Sequence, residues 1–200
     1  MSDEQRHKEK MSKRKAMQDA EVASKHITQK GLLIVNTGPG KGKSTAAFGL
    51  VMRALGHGWK VGIVQFIKGA WSTGEAKALE RFPDLVEWYT MGEGFTWETQ
   101  DKNRDIAAAT NAFEKAKQLM AKPEIRLLIL DELNIALRYD YLPLAEVVAT
   151  LQARRPDLHI VVTGRNAKPE MIEAADLVTE MTKVKHHFDA GVKSQEGIEF

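Results

Sequence analysis

A glycine-rich run between an apolar segment and a helix-forming segment holds the residues best suited to chemistry. It ends in Gly42, Lys43 and Ser44, and another glycine, Gly38, stands shortly before them. The standard phosphate-loop motif is G-x-x-x-x-G-K-[ST], in which backbone N–H groups and the lysine hold phosphates and the hydroxyl reaches Mg²⁺. Here the first glycine is one residue too close, so the loop is a shortened variant. A plain glycine-rich turn is the alternative, but the position between a buried strand and a helix favours binding of a nucleoside triphosphate.

An acidic pair, Asp131 and Glu132, directly follows the apolar run 127–130. This is the form of a Walker B strand, whose acids hold Mg²⁺ directly or through water, opposite the loop hydroxyl. A strand end that is acidic by chance is the alternative, and the phosphate loop upstream argues against it. An enzyme that does not use water as its nucleophile leaves Glu132 free to bind metal. We therefore expect Ser44 and Glu132 to bind Mg²⁺ (or Mn²⁺).

Two aromatic residues, Phe95 and Trp97, stand two apart in the glycine-rich segment 91–101. In an extended segment they would share a face. Packing against the core is the alternative, but the flanking glycines and the position after a strand favour an apolar binding platform. Arg53 lies ten residues beyond Lys43 on the same predicted helix, and from its position alone it is a surface arginine.

Short runs of Val, Ile and Leu alternate with helix-forming segments after residue 30. Strands that are apolar throughout indicate a parallel sheet covered on both faces, and right-handed crossovers then give a three-layer, mostly parallel α/β domain. Ligands of such folds bind at the carboxyl ends of the strands, where the loop, the acidic pair and the aromatic segment all fall. The predicted strands are 32–35, 61–67, 85–89, 127–130, 160–163 and 177–181, and the predicted helices are 43–55, 74–82, 103–121, 143–154 and 167–175.

The composition excludes several classes of protein. Of the 200 residues, 43% are hydrophobic and 28% charged, which is typical of a globular chain rather than a disordered one. The absence of cysteine excludes disulfides, thiol catalysis and Cys-ligated zinc or iron–sulfur centres. No apolar run approaches the ~18 residues of a membrane helix, and the N-terminus lacks a secretory signal. We expect a cytoplasmic protein.

The charge distribution separates the first thirty residues from the rest. Residues 1–30 hold eight Lys/Arg and five Asp/Glu, whereas residues 31–200 hold 21 Lys/Arg and 22 Asp/Glu. Residues 31–200 have a net charge of −1, and a segment with this charge is not expected to bind nucleic acid. The domain prediction is a flexible, partly helical N-terminal arm over 1–30 and a single phosphate-loop α/β domain over 31–200.

Taken together, these segments resemble the phosphate-loop type of ATP:corrinoid adenosyltransferases, which act on cob(I)yrinic acid a,c-diamide or cob(I)alamin. The resemblance covers nearly everything after residue 30, and the shared blocks occur in order. They are Thr37-Gly-Pro-Gly-Lys-Gly-Lys-Ser-Thr-Ala-Ala-Phe48, Arg53-Ala-Leu-Gly-His-Gly58, Val64-Gln-Phe-Ile-Lys-Gly69, Gly94-Phe-Thr-Trp-Glu-Thr99, Leu130-Asp-Glu-Leu133 and Lys185-His-His-Phe-Asp-Ala-Gly-Val-Lys193.

The resemblance implies a P-loop NTPase fold with a RecA-like core, usually as a homodimer. It implies transfer of the 5′-deoxyadenosyl group of ATP to the Co(I) of a corrinoid, with tripolyphosphate as by-product, ATP bound in a reversed sense, and an electron donor such as a reduced flavoprotein. Lys43 and Arg53 would be catalytic, Phe95 and Trp97 would face the corrinoid, and neither nucleic acid nor membrane would be a partner. The residues that would bind ATP are Gly38, Pro39, Gly40, Lys41, Gly42, Lys43, Ser44 and Thr45.

Two other functions remain open at this point. A conventional ATPase or small-molecule kinase on the same fold would release ADP or phosphate rather than tripolyphosphate. A RecA-like nucleic-acid motor is disfavoured by the charge of the body, and salt-dependent DNA binding would restore it.

Overall fold

The structure is a computed structural model that describes residues 2–27, 29–67, 73–92 and 101–199. The chain divides into two units, Met1–Lys30 and Gly31–Phe200. The first unit contains helix α1, Asp3–Ala23, which begins with a capping box. Ser2 Oγ accepts from the backbone N–H of Gln5, whose side chain accepts from the Ser2 backbone N–H. The helix buries none of its described residues, and its flexibility stays a prediction.

The second unit is built on one six-stranded sheet, and every strand pairing in it is parallel. The strand order is β3-β2-β4-β5-β1-β6. The strand that precedes the phosphate loop and the strand that precedes the acidic pair are therefore separated by β5 alone. The strands are β1 Leu33–Thr37, β2 Lys60–Gln65, β3 Val86–Thr90, β4 Ile125–Asp131, β5 His159–Thr163 and β6 Leu177–Glu180.

Helices cover both faces of this sheet, which confirms the predicted three-layer α/β fold. Residues of α2 and α3 pack in one hydrophobic cluster against one face. Residues of α4 to α7 pack in a second cluster against the other. The helices are α2 Lys43–Gly56, α3 Gly74–Leu79, α4 Lys102–Ala121, α5 Leu133–Arg138, α6 Leu144–Gln152 and α7 Pro169–Ala174, and a 3₁₀ turn spans His187–Ala190.

One helix, α5, is absent from the sequence prediction. It is six residues long and starts without a side-chain cap, after Glu132 in a left-handed conformation with φ 63°. Neither a capping residue nor a long apolar period marks such a helix in sequence. Its burial accounts for it, because Leu133, Ala136 and Leu137 are almost fully buried. No helix in the described part of the chain is long and apolar enough to cross a membrane.

Candidate active site

The phosphate loop leaves the carboxyl end of β1 and returns as the first turn of α2. Gly38 has φ 97° and Gly42 has φ 106°, conformations that favour glycine. Gly42 is the N-cap of α2 and has no side chain to satisfy the first N–H groups of the helix. No side chain therefore caps those N–H groups, and uncapped N–H groups at a helix N-terminus are the arrangement that binds phosphate. The sequence prediction placed the loop correctly between a strand and a helix.

A segment after β6 lies directly against this loop. Met181 donates its N–H to the Thr37 carbonyl at 2.9 Å and accepts from the Gly40 N–H at 2.6 Å. A Cβ on Gly38 would come within 2.5 Å of the Met181 carbonyl oxygen, and one on Gly40 within 2.5 Å of the Thr182 carbonyl oxygen. Both glycines are thus required by close backbone approach, and the loop conformation depends on residues far away in sequence.

Lys43, the loop lysine, is almost fully buried, with 8% of its surface exposed. Its Nζ donates to the Gly40 carbonyl at 2.5 Å. Burial lowers the pKa of Lys43, the neighbouring Glu132 carboxylate raises it, and the positive charges of Arg165 and Lys41 lower it further. The Arg165 guanidinium is therefore near enough to act on the Lys43 ammonium, and two cations close together suit a ligand with several negative charges.

Ser44 is held by the first of the two acids. Its Oγ donates to Asp131 Oδ1 at 2.7 Å, and Thr163 Oγ1 donates to the same oxygen at 2.8 Å. Gln65 Nε2 donates to Asp131 Oδ2 at 3.0 Å. Asp131 is fully buried, and both of its oxygens are used in orienting neighbours. Because the Ser44 proton points to Asp131, the lone pairs of Ser44 Oγ face away from it and can bind a cation.

Glu132, the second acid, projects differently because of its left-handed backbone. Its N–H donates to Thr163 Oγ1 at 2.9 Å, which fixes the turn into α5. The carboxylate lies over Gly164, where a Cβ would be only 3.2 Å from Glu132 Oε2 and 2.9 Å from Asn134 Cβ. Gly164 also has φ 126°. This glycine leaves the room that the Glu132 carboxylate occupies beside Lys43.

The C-terminal end of the chain reaches the other side of the loop. Glu199 forms an ion pair with Lys41 and lies 3.3 Å from His187 Nε2. The hydrogen bond from Lys41 holds the pKa of Glu199 below its ordinary value, and the nearby histidine charges act in the same direction. A cavity of about 400 Å³ lies beside this pair, between α2, α3 and residues 197–199, and Thr45 is among the residues that line it.

One predicted catalytic residue, Arg53, is not brought to this point. Arg53 is exposed in the last turn of α2, and ten residues at 1.5 Å of rise place it about 15 Å along the helix from Lys43. Phe95 and Trp97 lie outside the described residues. The backbone before them is closely packed, because a Cβ on Gly92 would come within 2.6 Å of the Ile67 carbonyl carbon.

Several residues of the site were missed by the sequence analysis. Gln65, Thr163 and Arg165 lie at or just after the carboxyl ends of β2 and β5, so the strand-end rule could have found them. Met181 directly follows β6, so the same rule applies to it. Glu199 carries no such signal, because it reaches the loop through the path of the last residues of the chain.

Comparison with known proteins agrees with this site. Residues 29–200 match the family model described as ATP:corrinoid adenosyltransferase BtuR/CobO/CobP. A corrinoid adenosyltransferase of Pseudomonas aeruginosa is 58% identical over 197 residues, covering 98% of this chain and 97% of that protein. One from Sinorhizobium sp is 54% identical, covering 99% and 93%, and one from Salmonella typhimurium is 47% identical over the full length of both. A match of this extent, on a chain whose loop lysine, loop serine and acidic pair converge as described, shows that the protein belongs to the ATP:corrinoid adenosyltransferase family.

Proposed function

We propose that this chain transfers the 5′-deoxyadenosyl group of ATP to the Co(I) of a corrinoid and releases tripolyphosphate. The observation that carries the proposal is the convergence of Lys43, Ser44 and the acidic pair at the carboxyl edge of the sheet. Cobalt(I), the substrate, is itself the nucleophile. Its electron pair forms the Co–C5′ bond, the C5′–O5′ bond breaks, and the electron pair of that bond leaves with tripolyphosphate.

The protein then has two tasks. It must hold C5′ in line with cobalt, which removes most of the entropic cost of the encounter. It must also stabilise the charge that grows on the leaving triphosphate, which the loop N–H groups and the buried Lys43 ammonium can do without moving. Arg165, whose charge acts on Lys43, is placed to contribute to the same stabilisation. We retain Arg53 as a proposed catalytic residue on the family resemblance alone.

The oxygen atoms at the site fit Mg²⁺. Ser44 Oγ and the Glu132 carboxylate would hold the ion, with Asp131 orienting Ser44 rather than binding directly. Magnesium is usually bound by only one or two protein carboxylates, with substrate phosphates supplying further ligands. Two protein ligands are therefore enough, and the described residues contain no group of three or more acidic or histidine ligands. When bound, Mg²⁺ would neutralise charge on the triphosphate.

Phe95 and Trp97 are proposed to form an apolar wall against the lower face of the corrin ring. Such a wall would exclude axial ligands from cobalt(II) and so raise its reduction potential. Phe95→Ala should then reduce activity strongly when cobalt(II) is reduced on the enzyme, and much less when preformed cobalt(I) is supplied. Equal losses in the two assays, or a loss of about 3–5 kcal/mol in stability, would instead indicate core packing.

The physiological setting proposed from the family resemblance is a cytoplasmic homodimer that receives electrons from a reduced flavoprotein. The arm, residues 1–30, is proposed to close over a site that must exclude water from a strongly reducing metal. Analytical ultracentrifugation tests the dimer. A second sedimenting species with twice the monomer mass is expected, and a monomer at all concentrations would contradict it.

One experiment separates this function from a conventional ATPase or kinase. The enzyme is incubated with ATP, Mg²⁺ and a chemically reduced corrinoid, and the visible spectrum is followed. We expect the spectrum of the adenosylated corrinoid to develop, with one tripolyphosphate released per transfer. ADP or orthophosphate in place of tripolyphosphate, with no spectral change, would favour the rival function.

A further inference from the structure

A continuous series of hydrogen-bonded side chains runs from the loop serine to Trp88 in the middle of β3. Ser44 and Gln65 both donate to Asp131, at 2.7 and 3.0 Å. Thr90 Oγ1 in turn donates to Gln65 Oε1 at 3.1 Å, and Trp88 Nε1 donates to Thr90 Oγ1 at 3.0 Å. Five side chains from α2 and three neighbouring strands are thus linked in series.

An aromatic contact also joins the Trp88 end of this hydrogen-bonded series to α2, the helix that carries Ser44. The Trp88 ring stacks on Phe48, with centroids 5.3 Å apart and planes 5° from parallel. Phe48 lies one helical turn after Ser44 in α2. The helix that carries the phosphate loop is therefore held at both Ser44 and Phe48 by the same network.

The chemistry of the end groups fixes the direction of every link. A carboxylate only accepts, so the Gln65 NH₂ group must face Asp131 and the Gln65 amide oxygen must face Thr90. An indole N–H only donates, so the Thr90 oxygen accepts from Trp88 and the Thr90 proton goes to Gln65 Oε1. Gln65 is 2% exposed and its bond to Asp131 is buried, so water has little access to replace that bond.

We propose that Gln65 and Thr90 are positioning residues that orient the Ser44 hydroxyl toward the metal-bound triphosphate. With the Gln65 NH₂ on Asp131 Oδ2, the other oxygen, Oδ1, remains the acceptor for Ser44 and keeps the Ser44 lone pairs available. If the Thr90 hydroxyl is removed, Gln65 Oε1 loses its donor and the amide is no longer held from both ends, so its Nε2–H donation to Asp131 Oδ2 weakens. This inference rests on the proposed role of Ser44 as a magnesium ligand.

Thr90→Val tests the proposal, because it removes only the hydroxyl from an exposed residue. We expect the Mg²⁺ concentration for half-maximal activity to rise about 3- to 10-fold, the effect of one lost hydrogen bond. The melting temperature and the binding of metal-free ATP should stay as in the wild type. Thr90→Ser, which restores the hydroxyl, should restore the wild-type Mg²⁺ dependence.

A second variant and a matched control complete the experiment. Gln65→Met should raise the half-maximal Mg²⁺ concentration at least as much, and adding Thr90→Val to it should have no further effect, because the link is already broken. Thr110→Val removes a similarly exposed hydroxyl on α4, one that donates only to its own helix, and should change nothing.

The outcomes distinguish this inference from the function on which it rests. Wild-type Mg²⁺ dependence in Thr90→Val, or additive effects in the double variant, would overturn the positioning role while leaving the transferase intact. A wild-type enzyme with no Mg²⁺ dependence would overturn the proposed metal site itself. A drop in melting temperature with unchanged Mg²⁺ dependence would show that the network is only structural.

Discussion

Substitution of Gly164 by alanine is expected to damage both stability and activity, for separate reasons. The residue has φ 126°, which a residue with a side chain rarely adopts. Sparsely populated backbone conformations cost about 1–3 kcal/mol. For a protein of this size each kcal/mol lowers the melting temperature by about 2–4 °C, so a fall of roughly 2–12 °C is expected from strain.

The activity loss follows from what the new methyl group would contact. It would lie 2.9 Å from Asn134 Cβ and 3.2 Å from Glu132 Oε2. Asn134 is fully buried and donates to the Gly164 carbonyl at 3.2 Å, so it has little room to move. The backbone at residue 164 must therefore move away from Asn134, and the Glu132 carboxylate must give way by a few tenths of an ångström. Because a displacement of about 1 Å can cost about 100-fold in rate, we expect this smaller one to reduce adenosyl transfer by about 3- to 10-fold.

Gly58→Ala is the matched control. Gly58 also has a positive φ, 70°, but no heavy atom lies within 4 Å of its added Cβ. It should lose stability through strain alone, measured by thermal unfolding, and keep the wild-type rate of adenosyl transfer. If Gly164→Ala lost stability but transferred at the wild-type rate, the position assigned to the Glu132 carboxylate would be wrong.

Three further predictions concern the loop, the pH dependence and the arm. Lys43→Ala and Glu132→Ala should each abolish most transfer while keeping the fold, as judged by circular dichroism; turnover at the wild-type rate in saturating ATP and Mg²⁺ would contradict the assignment. Burial, followed by the charges of Arg126 and Arg154, lowers the pKa of His159. As pH falls below about 6.5, this histidine therefore takes up a proton in the unfolded chain before it does so in the folded protein. The free energy of unfolding should then decrease on acidification, and it should decrease less steeply in His159→Gln. Identical plots of unfolding free energy against pH for the two proteins would refute this. Residues 1–30 should gain protection from hydrogen exchange when ATP and corrinoid are both bound, and unchanged exchange would indicate a solvated tail.

Contiguous features of the site could be predicted from sequence because their chemistry is local. The loop from Gly38 to Ser44 needs only a strand before it and a helix after it. A continuous apolar run predicts the strand, and apolar residues at helical spacing, followed by glycine, predict the helix. The acidic pair could be placed at the carboxyl ends of the strands because Asp131 directly follows an unbroken apolar run. The parallel α/β fold followed from strands that are apolar on both faces.

Other features depend on strand order, which no local pattern encodes. Because β4 lies between β2 and β5, Gln65 and Thr163 meet at Asp131 from opposite sides. Glu132 could be read as an acid, but its left-handed backbone, and the direction this gives its carboxylate, depend on the burial of α5 and on the space above Gly164. The sequence alone was therefore enough to predict which groups are candidates for binding triphosphate and metal. Only the tertiary structure decided how they are oriented, because each orienting partner comes from a strand or segment brought near by packing of the whole sheet.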